Sequence, residues 1–395
     1  MLAAIILILH NVPLEAQTGL NIPPGGIAFQ SAHYEIIAEP GAAALLTALT
    51  QELELRFELY NRVFRFNAET LVSPLKVRVF TDRNAYELYL NLRQGAAGTD
   101  AIYLHYDNHI WRELVVLRDG NETAMLASQS FFQFLKAFIP NPPLWIVEGF
   151  GIYFNSIKYD SETGILQYEE NLAWLDAAKR LGENIVSPDK ILLANAGDQS
   201  AAEGRLSADL RISSWALVSF LMNSNENFRT LTESFMVLSP HNTSEENSSA
   251  VMERFSVWTD FNVMHGELLE YIALRKTFAE HIEEGRQNLE TGNIHMAYFD
   301  FFAASGQRSF HYAPYYYVGL SSYYENNYVQ AEEYFLLSLY YGGDEALVSY
   351  ALGLNAARAG RRDDAISWLE RAAAIDPLRY KARTDELTEI LLSIP

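Results

Sequence analysis

The side chains able to do chemistry in this sequence are sparse, and their spacing sets what they can do together. There is no cysteine, which removes disulfides, thiolate nucleophiles, thiolate zinc sites, iron–sulfur ligation and lipid attachment through an N-terminal cysteine. Of the nine histidines, none falls between residues 110 and 240. His105 and His109 flank Tyr-Asp-Asn at His-x3-His spacing. On a helix such a pair shares one face, and with Glu148 it would complete a three-ligand metal site. Asp107-Asn108 between them is a turn signal, so the pair is expected to straddle a hairpin instead. His33 and His265 read as surface or boundary histidines. The acidic pairs Glu169-Glu170 and Glu245-Glu246 are adjacent, unlike the spaced carboxylates of glycoside hydrolysis, and read as solvated surface. Gly149-x-Gly151 lacks the rest of a nucleotide fingerprint and falls inside an expected helix. No nucleophile is paired with a base, and neither a metal nor an organic cofactor is expected.

The elements that must position these groups follow from periodicity. Residues 33–37 (HYEII) read as a strand. A helix is expected over 42–64, with Leu46, Leu49, Leu53, Phe57 and Tyr60 on one face. Residues 75–80 (LKVRVF) alternate as a strand does. A helix over 84–92 and strands over 101–104 and 113–117 come next. An apolar helix over 122–138 is broken by Asn141-Pro142-Pro143, and a second helix begins at Leu144 and runs to Ile157. Helices are expected to dominate from there to Phe278. The fold class is α+β, mostly α.

The last third has a fixed period. Gly285, Gly319 and Gly353 lie 34 residues apart, as do Ala297, Ala331 and Ala365, then Phe301, Phe335 and Leu369, then Ala304, Ser338 and Ala372. Small residues recur where two helices must touch, with a large apolar residue between them. Pro377 ends the third copy. This pattern resembles the tetratricopeptide repeat family, although Ser322 and Ala356 stand where a large aromatic is usual. The resemblance implies an α-solenoid of three antiparallel helix pairs over 278–379 (278–311, 312–345 and 346–379), closed by a polar-faced capping helix over 380–395. It also implies a concave wall made by the first helix of each pair, including Ile282, Arg286, Tyr316, Tyr323, Tyr324, Tyr350 and Arg358. Tyrosine and arginine are favoured interface anchors, so a protein or peptide partner is expected there. The basic and amide residues that clamp a terminal carboxylate in some members of the family are not evident.

Residues 30–270 carry a second resemblance. The tract PPLWIVEGFGIYF (142–154) fits a Pro-x-Trp-x-x-Glu-Gly-x-x-x-Tyr pattern, which is similar to that of the peptidase-MA-like branch of the gluzincin metallopeptidases. The stretch SSWALVSFL (213–221) is similar to the helix that follows in such proteins. The family implies a zincin-like domain, a small sheet plus helices, with a His-Glu-x-x-His helix about twenty residues before the Glu-Gly tract. The matching stretch here is LASQSFFQFL (126–135). Ser128 stands at the first histidine position, Gln129 at the general base and Phe132 at the second histidine. Only Glu148, at the third ligand, is kept. A serine hydroxyl is a poor zinc ligand beside imidazole, phenylalanine has no ligand atom, and glutamine cannot exchange a proton near neutral pH. The resemblance therefore implies a pseudo-metallopeptidase.

Length and charge bound the rest. At about 150 residues per domain, 395 residues suggest two or three domains. Apolar residues make up 49% of the chain, enough for a sizeable core. The net charge of −21 opposes binding to nucleic acid or to an anionic membrane surface, and no apolar run is long enough for a membrane span. LAAIILIL at 2–9, followed by Pro13 and Ala16, reads as a signal peptide within residues 1–20 although no basic residue precedes it. Export to a periplasmic or extracellular envelope is expected. Asn121, Asn242 and Asn247 open Asn-x-Ser/Thr triplets that matter only in a eukaryotic secretory pathway. The function expected is non-catalytic protein binding or scaffolding. The alternatives are a metal-dependent hydrolase with His105, His109 and Glu148 as ligands, and a purely structural envelope protein in which the first domain is a rigid spacer.

Overall fold

The computed structural model describes residues 26–39, 41–42, 45–93, 98–119, 125–160, 163–195 and 206–393. The predicted leader and Asn121 lie outside them. The chain divides into two compact units that meet at Ile272 and Ala273.

The first unit opens with β1 (Ile27–Gln30) and β2 (Tyr34–Ala38), then α1 (Leu46–Phe64), β3 (Leu75–Phe80), α2 (Arg83–Leu92), β4 (Ala101–Leu104) and β5 (Glu113–Leu117). The sheet order is β1-β2-β3-β5-β4. The central strands β2, β3 and β5 run parallel, and the edge strands β1 and β4 run antiparallel to their neighbours. The central strands are buried nearly throughout because both faces are covered, and the charged Glu35, Arg78 and Glu113 are buried with them. Val77, Val79, Leu114 and Val116 join the main core, whereas Phe80, Val115 and Leu117 meet Tyr86 and Leu90 of α2. One buried cation, Arg78, sits on this sheet and is neutralised by Glu39 and Glu113, each at 3.2 Å.

Helices follow: α3 (Leu126–Phe138) and α4 (Leu144–Asn155), then the hairpin β6 (Ile157–Asp160) and β7 (Ile165–Tyr168). After it come α5 (Leu172–Leu181), α6 (Pro188–Leu192), α7 (Ala208–Met222), α8 (Asn225–Ser234), α9 (Ser244–Ser256) and α10 (Phe261–Leu274). The α1 face expected from periodicity is buried, and its rings lock against α3: Phe57 meets Phe134 edge-on at 5.1 Å, and the Tyr60 hydroxyl donates to the Ala127 carbonyl at 2.7 Å. The β6–β7 hairpin corrects the expectation of a helix running to Ile157. Ile157 and Tyr159 favour extended backbone, and Gly164, at φ +68°, supplies the left-handed residue its turn requires. Among the described residues no helix is long and apolar enough to cross a membrane.

The second unit is an array of packed helix pairs: α11 (Phe278–Glu290) with α12 (Ile294–Gln307), α13 (Tyr312–Tyr324) with α14 (Tyr328–Tyr340), α15 (Glu345–Arg358) with α16 (Arg362–Ile375), then α17 (Pro377–Ser393). A Thr277–Glu280 capping box starts it. The 34-residue columns fall on the contacts within each pair. A Cβ on Gly285 would stand 2.5 Å from the Phe301 ring, one on Gly319 2.7 Å from the Phe335 ring, and one on Gly353 2.8 Å from the Leu369 side chain. The glycine is the space into which the large residue sixteen positions later packs. Ser322 and Ala356 are buried. The expectation of a polar outer face on the last helix holds at Lys381, Arg383 and Asp385, but Leu378, Ile390 and Leu392 also stand exposed.

Gly353→Ala should lower stability by up to about 2 kcal/mol, because overpacking costs about 1–3 kcal/mol against a gain of about 1 in helix propensity. A Cβ on Gly306 of α12 would meet nothing within 4 Å, so Gly306→Ala should be neutral or stabilising. Denaturant midpoints of the two variants test this; equal shifts would remove the packing account of the glycine column.

Candidate functional site

The helices α3 and α4 lie against each other, and Ser128 and Phe132 of α3 meet α4, while Gln129 reaches β4 and Glu148 of α4 reaches α7. Along α4, Glu148, Gly151 and Asn155 share one face at i, i+3 and i+7. Asn155 Oδ1 accepts from the Ser128 backbone N–H at 3.0 Å, and Gly151 lies under the Phe132 ring, where a Cβ would stand 2.8 Å from the ring carbons. The Ser128 hydroxyl donates back to the Met125 carbonyl at 3.1 Å. Gln129 Oε1 accepts the backbone N–H of Tyr103 at 2.8 Å. Tyr103 belongs to β4, an edge strand, so the glutamine ties that edge to α3.

Glu148 is held from a third helix. Arg211 Nε of α7 donates to Glu148 Oε2 at 3.0 Å, with both side chains mostly buried (22% and 16% exposed). The guanidinium also lies over the Trp174 ring of α5, 5.6 Å from its centroid. Sequence reading missed Arg211; it stands two residues before SSWALVSFL, and only its distance to Glu148 distinguishes it. The α4–α7 approach that makes this pair possible depends on Gly149, where a Cβ would come within 2.7 Å of the Ser214 carbonyl oxygen. The tract around Glu148 thus has a steric explanation at each marked position. Trp145 is core, Gly149 admits α7, Gly151 admits Phe132, and Tyr153 stacks on Tyr168 at 5.3 Å.

The donor atoms do not fit a zinc ion. Ser128 and Gln129 are engaged with backbone, Phe132 offers none, and Glu148 is paired with a cation. Among the described residues no group of three or more His, Asp or Glu side chains is placed to hold a metal. His105, His109 and Glu148 do not gather: His105 follows β4 and His109 opens a short 3-10 turn before β5, so both histidines lie within the β4–β5 connection, on either side of the bend at Asp107-Asn108. The Tyr103 hydroxyl lies 3.3 Å from His105 Nδ1, and the charges of Lys136 and Arg112 act on the ring. His33 is bonded through Nδ1 to Glu54 at 2.6 Å and stacked on Phe57, and His265 Nε2 lies 3.0 Å from the Ile185 carbonyl.

In the second unit, Tyr316, Tyr323 and Tyr350 line one pocket of about 190 Å³. The other members of the expected wall do not line it. Ile282 packs inward with Phe301 and Val318, Arg286 is tied to Glu283 (3.1 Å) and Glu290 (3.9 Å) on its own helix, Tyr324 is exposed beside Tyr323, and Arg358 is exposed at the end of α15. The pocket instead gains Arg379, Tyr380 and Arg383 from α17. The signal for these is the same 34-residue step, which leads from Tyr312 through Ala346 to Tyr380. Leu320, Leu347 and Leu354 supply apolar wall.

No family model matches the chain, and no curated protein matches it.

Two outcomes follow from this geometry. Arg211→Met leaves the Glu148 carboxylate unpaired and should cost about 1–3 kcal/mol. The Glu148→Gln/Arg211→Met double variant should lose less than the sum, and an additive cycle would mean the pair contributes nothing. Separately, loss of water around the His105 ring, then the charges of Lys136 and Arg112, push its pKa from 6.5 down to about 4, against Asp107. Between these values the unfolded chain binds a proton that folded His105 refuses, so stability is full above the unfolded pKa and falls as pH is lowered toward the folded one. His105→Gln should flatten that part of the stability–pH curve.

Proposed function

We propose that this is an exported, non-catalytic protein-binding or scaffold protein, a pseudo-metallopeptidase domain followed by a tetratricopeptide repeat array that receives a protein or peptide. The observation that carries the first half is the Arg211–Glu148 ion pair. A carboxylate kept from a zinc site needs a positive partner once the metal is gone, and a guanidinium at 3.0 Å supplies it. The contacts of Ser128, Gln129 and Phe132 support the same reading, since each occupies its position with hydrogen bonds or packing. No water-activating base stands in the site, because glutamine cannot take the proton.

The second half is supported by the convergence of tyrosines on one pocket of the array. Tyrosine brings area and a donor at low entropy cost, as protein interfaces favour. The charge of −21 argues against nucleic acid as the partner, and export rests on the apolar octet at 2–9.

The test is metal content after equilibration with excess zinc and desalting, together with cleavage of unstructured casein. Less than about a tenth of an equivalent of zinc and no cleavage are expected, since catalytic zinc needs about three protein ligands. Near one tightly held equivalent, or casein cleavage lost in Glu148→Gln, would overturn the reading.

A further inference from the structure

The tyrosine pocket of the array contains features that packing does not use. Its volume of about 190 Å³ is below the ~300–1,000 Å³ of sites that enclose a whole small molecule, which suits one anchoring side chain. Tyr316, Tyr323, Leu320 and Leu354 make its apolar wall. Tyr380 is 2% exposed, stacks near Tyr350 at 5.0 Å, and has a buried hydroxyl with no hydrogen-bond partner. An orphaned hydroxyl of this kind costs stability unless something meets it.

Charge selects among occupants. Arg379 and Arg383 both border the pocket. Arg379 is shared with Asp344 at 3.5 Å, whereas Arg383 is exposed and has no acidic partner among the described residues. These two guanidinium groups are the charged side chains that line the pocket, in a chain of net charge −21. A positive rim on an otherwise acidic protein attracts carboxylates and repels basic chains.

The geometry points to an acidic peptide segment with one bulky apolar side chain as the partner of this pocket. The apolar side chain enters between Tyr316, Tyr323 and Leu354. A neighbouring carboxylate pairs with Arg383, whose planar guanidinium presents two parallel donors to it. A hydrogen-bonding group next to the anchor meets the Tyr380 hydroxyl. This rests on the reading of the array as a peptide receptor and adds the class of peptide.

The experiment is fluorescence anisotropy on the full chain with short labelled Gly/Ser peptides carrying Asp-Phe-Asp, Lys-Phe-Lys or Asp-Ala-Asp at the centre. The first is expected to bind saturably, and the other two about ten-fold more weakly or worse, a difference of about 1.4 kcal/mol. Arg383→Glu and Leu354→Trp, which fills the pocket, should each weaken the first peptide by about the same factor while circular dichroism stays unchanged. Arg286→Glu, also a charge reversal but outside the pocket, should not. Equal binding of the acidic and basic peptides, or equal loss in Arg286→Glu, would overturn the inference. A random displayed peptide library run in parallel separates the two levels. Selected peptides with no acidic or apolar preference and no sensitivity to Arg383→Glu would sink this inference and leave the receptor reading standing. A full chain that retains no peptide from the library and none of the three probes would sink both.

Discussion

Helices approach closely only where one of them lacks a side chain at the contact, and this protein uses that constraint in both units. In the first, Gly149 lets α4 meet the backbone of α7, and Gly151 takes the Phe132 ring of α3. In the second, Gly285, Gly319 and Gly353 receive Phe301, Phe335 and Leu369 in turn. The energetics are those of a close-packed interior, in which one added carbon must displace a neighbour. What the glycines permit is as important as what they fill. With α7 this near, a side chain on it reaches Glu148; with each pair closed this tightly, successive first helices present their tyrosines side by side.

The chemistry of the α3–α4 seam follows from that approach. A mostly buried carboxylate is costly unless a cation or several donors answer it. Arg211 answers it here, and Trp174 supports the guanidinium from behind. Around this pair the polar atoms of Ser128 and Gln129 are turned to backbone partners rather than to one another.

In the array, charge and shape act on different scales. The pocket is shaped by residues of α13, α15 and α17 with Phe335 of α14, so no one repeat could form it. Screening confines each charge to about 8–10 Å, so the net charge of −21 disfavours a polyanion over the chain as a whole, while Arg379 and Arg383 act on a group seated at the pocket.

Features that depend on a few consecutive turns were legible in the sequence. The alternation of LKVRVF marks β3; Asn141-Pro142-Pro143 separates α3 from α4; the Asp-Asn bend sets His105 and His109 on either side of it within one connection; and the 34-residue columns locate the helix contacts. The β6–β7 hairpin was not legible, because two short strands after an apolar helix resemble its continuation until Gly164 turns the chain. The cation that answers Glu148 lies 63 residues away, and nothing in its local pattern marks it. Arg286 and Arg358 lie away from the tyrosine pocket, while Tyr380 and Arg383, which line it, belong to a stretch expected only to cap. Periodicity is written within a helix or strand, by which faces meet water. Which side chains meet across helices depends on how closely the backbones approach, and that is settled only when the whole core is packed.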